Sequence, residues 1–193
     1  FLDGWVEAAL QHPVREPASG KVLFNVGLAG PAEVRSAAYS ARGAQRSWVA
    51  MPRAARAAIF RKAADLFERH AADITQVAGR ETGSIAPKIG VELEMAAGIC
   101  REAAGMLTQP QGLILPSDGT RMSLARRVPH GVVGIISPFN FPLILSIRAV
   151  APALAAGCGF VAKPASETPL SALAMAVLAE RAGVPKGLFS AIT

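Results

Sequence analysis

Residues 134–146, GIISPFNFPLILS, hold one asparagine, Asn140, between Phe139 and Phe141 and bracketed by Pro138 and Pro142. A buried carboxamide without partners costs about 1–3 kcal/mol. Either its neighbours satisfy it, or its N–H is kept for something else. Two chemistries fit. Asparagine is among the best helix N-caps, and a helical pattern begins at Pro142. A carboxamide in a loop that opens a helix, beside backbone N–H groups, equally suits an oxygen that gains negative charge during a reaction. Lys163, in FVAKPASETPL, also has two readings. It is a solvated ammonium, or a donor to the phosphate or ribose of a nucleotide.

The other residue types that do chemistry have plainer places. His70 and Cys100 fall on helical apolar stripes, where core packing explains them. Cys100 and Cys158 are the only cysteines of the 193 residues and have neither metal-ligand spacing nor a disulfide framework, so a reducing cytoplasm is expected. The chain is 51% hydrophobic and 18% charged, which implies a packed core and excludes disorder. Its net charge of +6 is scattered as RAARAAIFRK, RR and single arginines, a pattern of solvated helix faces and not of a nucleic-acid partner. No apolar run reaches the ~20 residues that span a membrane, and acids and prolines interrupt the N-terminus too early for a signal peptide. Phe1 in place of methionine, and a stop directly after a strand, imply a piece of something longer.

Three stretches must position these residues. Residues 1–111 begin with short strands and turns: WVEA, then a turn at Ala18-Ser19-Gly20 before Val22, Phe24 and Val26 alternate inward. Helices follow. Pro31 opens one, and Pro52 opens a second that runs on through RHAADITQVAGRETG, with Ile59, Ala63, Leu66, Phe67 and His70 on one side. After Pro87 a third carries the stripe Ile89, Leu93, Ala96, Cys100 and Leu107. Residues 112–130 read as two strands around Asp118-Gly119. Residues 131–193 alternate strand and helix: GVVGIIS as a buried parallel strand, a helix from Pro142 that Pro152 kinks or breaks, FVAKP, a helix with Thr168 as N-cap and Gly183 after its last turn, and GLFSAIT. This is the first half of a doubly wound α/β parallel sheet, whose ligands bind beyond the carboxyl ends of the strands. SPFN and KPASET then share one crevice. No G-x-G-x-x-G fingerprint is present, so the usual dinucleotide motif does not identify the ligand.

RRVPHGVVGIISPFNFPLILSIRAVAPALAAGCGFVAKPASETPLSALAMAVLAERAGVPKGLFSAIT closely resembles the aldehyde dehydrogenase superfamily. EPASGKVL, AARAAIFRKAADLFERH and RETGSIAPK extend the likeness over essentially the whole chain, and its wording is most similar to the benzaldehyde and vanillin dehydrogenase branch. The resemblance implies the N-terminal part of an enzyme that oxidises an aldehyde with NAD or NADP, on a Rossmann-like domain. In that family a cysteine thiolate attacks the carbonyl, the cofactor takes hydride, and a glutamate assists hydrolysis. Asn140 matches the oxyanion donor, whose loss costs about 3–4 kcal/mol of barrier. Ile136, Ser137, Pro138 and Phe139 match backbone and wall positions of the cofactor cleft, and Lys163 the lysine that reaches the adenosine ribose. Phe141, Ile144, Leu145 and Arg148 match the helix face lining the substrate tunnel. Its apolar members suit an aromatic or medium-chain aldehyde; Arg148 either orients an acidic or phenolic substrate or is structural. The residue matching a frequent ribose-binding glutamate is Ser166, with Glu167 one place later, which implies that NADP is tolerated beside NAD.

Cys158 replaces an asparagine of the family pattern and is not the nucleophile. That cysteine, the general-base glutamate and the G-S-T-x-x-G turn belong beyond residue 193, so the piece alone is expected to be inactive. The 112–130 strands match the family's oligomerisation hairpin, with Met122, Leu124 and Val128 on one face, and imply a homodimer or homotetramer of the complete enzyme. Two alternatives remain: a non-catalytic nucleotide-binding fragment, and a CoA-acylating semialdehyde dehydrogenase relative.

Overall fold

The structure, a computed structural model, describes residues 1–2 and 4–193. An antiparallel hairpin, β1 (Gln11–Arg15) and β2 (Val22–Gly27), leads into four helices, α1 (Pro31–Ala50), α2 (Arg53–Arg69), α3 (Ala71–Thr82) and α4 (Ala86–Met106). A second hairpin, β3 (Gly112–Leu115) and β4 (Ser123–Arg126), separates them from β5 (Val132–Ile136), α5 (Pro142–Ala155), β6 (Gly159–Lys163), α6 (Pro169–Ala182) and β7 (Phe189–Ala191). Strands β5, β6 and β7 form one parallel sheet in that order.

The amphipathic stripe of α4 explains the layering. Ile89, Leu93, Ala96, Cys100 and, just past the helix end, Leu107 are all buried, and α4 packs between α2 and α5. Their apolar area removed from water is the main force holding the helical layer on the sheet. On the other side α1 lies across β6 so closely that a Cβ on Gly159 would sit 2.6 Å from the Ala41 carbonyl oxygen. Glycine is what permits that approach. The C-terminal carbonyls of α5 and of the turn after it are collected by the first two helices: Trp48 Nε1 donates to Leu154 O at 2.7 Å, Gln45 Nε2 to Gly157 O at 2.8 Å and Arg56 Nη1 to Ala155 O at 3.5 Å.

Several expectations are corrected. WVEA is not a strand; residues 11–15 pair with β2 instead, and Val22 faces solvent while Val26 is buried. The long helix from Pro52 is two helices, because the chain turns at His70, which ends α2 and precedes α3. Of the kink or break expected at Pro152, the break does not occur: α5 runs on to Ala155, and the absent N–H forfeits one intrahelical bond, to the Arg148 carbonyl. Strand β5 is only half covered within this chain, where β6 alone pairs with it, whereas β6, paired on both sides, is buried up to Lys163.

Candidate functional site

Register decides which residues meet. In the parallel ladder Ile136 pairs with Lys163, and the Ser137 N–H donates to Lys163 O at 2.9 Å. The loops 137–141 and 164–168 therefore leave the same carboxyl end of the sheet, which is where Asn140 and Lys163 stand.

Asn140 does not cap α5. The residue at the N-cap is Phe141, no side chain of the loop caps the helix, and Asn140 is exposed with its carboxamide bonded to no described residue. The cap comes from α4. Glu92, 2% exposed, accepts the Leu143 N–H at 3.0 Å and the Ile144 N–H at 3.5 Å through Oε2. Pro142 has no N–H to satisfy, and the Leu145 N–H already reaches Phe141 O at 3.0 Å. With Glu92 in place the orphan donors of the first turn are accounted for. The other carboxylate oxygen meets Lys88 Nζ at 2.6 Å, and that ammonium also donates to Asn140 O at 2.6 Å and stands 4.3 Å from the Phe141 ring centre.

Helix α6 repeats the device. Thr168 occupies the N-cap position, as expected, but its side chain makes no capping bond and its buried Oγ1 has no partner among the described residues. Glu81 of α3 accepts the Leu170 N–H at 2.5 Å, the Ser171 N–H at 3.1 Å and the Ser171 hydroxyl at 2.8 Å. Burial pushes its carboxyl up to about 7, against the opposing pull of those hydrogen bonds.

The remaining wall is apolar and open. Ile136 is 79% exposed, and Pro138, Phe139, Ser166 and Glu167 are exposed too. Lys163 is half-buried and donates to Pro164 O at 3.1 Å. Ser137 is turned inward, where its hydroxyl accepts from Ser146 Oγ at 2.6 Å, so at this end of the sheet it presents only its main chain. Along α5, Phe141 and Arg148 are exposed, Leu145 half-buried and Ile144 buried. Neither cysteine is placed for attack. Both are buried, and burial pushes the Cys100 thiol up to about 12. Among the described residues no His, Cys, Asp and Glu cluster could hold a metal ion.

The aldehyde dehydrogenase family profile covers residues 5–193. The chain belongs to the aldehyde dehydrogenase family. Vanillin dehydrogenase of Amycolatopsis sp. is 47% identical over 190 residues, which are 97% of this chain and 39% of the relative. Benzaldehyde dehydrogenase [NAD(+)] of Pseudomonas putida is 40% identical over 97% of this chain and 39% of its own length. The crystal structure of an NAD-dependent benzaldehyde dehydrogenase from Corynebacterium glutamicum superposes with a TM-score of 0.95 at 39% identity, over 99% of this chain and 43% of that one. The chain thus spans about two-fifths of the length of the relatives it matches. Lys88, Glu92 and Glu81 are the residues of its site region that motif reading misses. Their partners lie some fifty to ninety positions away, and only an acid on an otherwise apolar helix face hints at them.

Proposed function

We propose that this chain is the N-terminal portion of an NAD(P)-dependent aldehyde dehydrogenase that oxidises an aromatic aldehyde to its carboxylic acid. The observation that carries the reading is the exposed carboxamide of Asn140 at the carboxyl end of β5, without a partner among the described residues, with the helix-capping task taken over by Glu92. Its N–H donates to the aldehyde oxygen as negative charge builds there, and the protein spends no reorganisation on turning it. The buried thiols of this chain leave the attacking group to residues outside 1–193.

The residues present fit one wall of a dinucleotide cleft. Ile136 and Phe139 offer uncovered apolar surface, and the Lys163 ammonium stands at the end of β6 with Ser166 beyond it. The nicotinamide cofactor supplies the hydride acceptor when bound. Lys163 binds its ribose, and Ser166, lacking charge, leaves room for the 2′-phosphate of NADP as well as for NAD. Phe141, Leu145 and Arg148 face the aldehyde's aromatic end, with Ile144 filling the helix behind them. The β3–β4 hairpin exposes Ile114 and Leu124, directly opposite each other, with Met122 and Val128; a homodimer or homotetramer covers this face.

The test is Asn140→Ala in the complete protein, assayed with benzaldehyde and NAD. A fall in kcat of about 100- to 1000-fold with cofactor affinity retained is expected. Unchanged kcat overturns the reading.

A further inference from the structure

Asn140 sits in a bend between β5 and α5, and among the described residues its one hydrogen bond is the one its main-chain carbonyl accepts from Lys88. We propose that Lys88, held by Glu92, is a positioning residue that sets the direction of the Asn140 carboxamide. The inference rests on the reading of Asn140 as the oxyanion donor and adds the residues that aim it.

The geometry leaves the ammonium little choice. One N–H goes to Glu92 Oε1 at 2.6 Å and another to Asn140 O at 2.6 Å, while the charge lies 4.3 Å from the Phe141 ring centre. Glu92 is itself fixed, because its other oxygen is bonded to the first turn of α5. Lys88 is only 21% exposed, so water competes weakly for these contacts. The carbonyl it grips belongs to the peptide joining Asn140 to Phe141. Fixing that planar unit fixes the main chain on one side of the Asn140 Cα, and with it the direction in which the side chain leaves. A donor aimed at a developing charge loses much of its effect when misplaced by an ångström. Lys88 touches no reacting atom and acts through Asn140.

The experiment is a double-mutant cycle in the complete enzyme with benzaldehyde and NAD, with NAD affinity read separately by fluorescence titration. Lys88→Met is expected to lower kcat about tenfold with the Kd for NAD unchanged, and Lys88→Arg, which keeps two donors in reach, to stay within about threefold of the parent. Lys88→Gln, one atom shorter and uncharged, draws its donor back from Asn140 O; it gives the same loss as Lys88→Met and stands in for it should that variant not fold. Combined with Asn140→Ala, Lys88→Met adds less than about twofold to the loss from Asn140→Ala alone, because the group it aims is gone. A full-strength Lys88→Met and Lys88→Gln, or a double variant in which the two losses multiply, overturns the positioning role while leaving the Asn140 reading intact. Parental kcat in Asn140→Ala overturns both.

Discussion

At the start of α5, Glu92 accepts two backbone N–H groups with one oxygen and meets the Lys88 ammonium with the other. At the start of α6, Glu81 accepts two backbone N–H groups and a serine hydroxyl, and among the described residues no cation pairs with it. Both helices open with proline and both caps come from the helical layer, yet the charge on one carboxylate is compensated and that on the other is not. Burial therefore acts unopposed by a counter-ion on Glu81 and pushes it up to about 7. The Asn140 loop is anchored by an ion pair, and the Lys163 loop by a carboxylate that takes up a proton near neutrality.

The sharpest way to break this comparison is to delete each acid in the complete protein and measure urea unfolding at pH 8. Glu92→Ala strands the half-buried Lys88 charge and two N–H groups, and is expected to cost about 3–5 kcal/mol. Glu81→Ala strands no cation, and its cost is expected to be about 1–3 kcal/mol. Equal costs would mean that Lys88 contributes nothing to the difference.

Next in size is the pH dependence. A carboxyl near 7 in the folded chain and near 4.5 unfolded keeps its proton longer when folded, so its contribution to stability falls as pH rises from about 4.5 to about 7 and is level outside that window. The total is about 3 kcal/mol. Subtracting the Glu81→Gln profile from the parent's isolates it; parallel profiles would remove the titrating anchor from the picture.

How much of this was legible in the sequence follows from the range of each interaction. Periodicity found the α4 stripe, and the βαβαβ order with the ends of α5 and α6 followed from local proline and glycine chemistry. The turn at His70 is not legible because RHAAD contains no breaker, and the covering of β5 depends on which strands pair with it, which no local pattern states. Thr168 stands at the N-cap where its local sequence puts it, but which side chain does the capping is a tertiary fact: Glu81 reaches α6 from eighty-nine residues away. Asn140 could be read either as cap or as donor until Glu92 was seen to occupy the first of those roles.

Smaller effects separate the two loops by function. Lys163→Met is expected to raise KM for NAD about thirtyfold, ~2 kcal/mol for a lost charge-assisted hydrogen bond, with kcat nearly kept, whereas substitutions around Asn140 act on kcat. A kcat defect in Lys163→Met would blur that division. Smallest is Phe141→Leu, which removes the ring beneath the Lys88 ammonium; ~0.5–1 kcal/mol of unfolding free energy is expected to go with it, and no change would place that contact outside the anchor.

The donors that Trp48, Gln45 and Arg56 turn toward the far end of α5 have a consequence for timing. Clasped by Glu92 at one end and by these three at the other, the helix cannot slide or fray by itself. Its amides should exchange with deuterium only when the whole helical layer comes apart, so the lifetime of the aimed carboxamide is the lifetime of that layer.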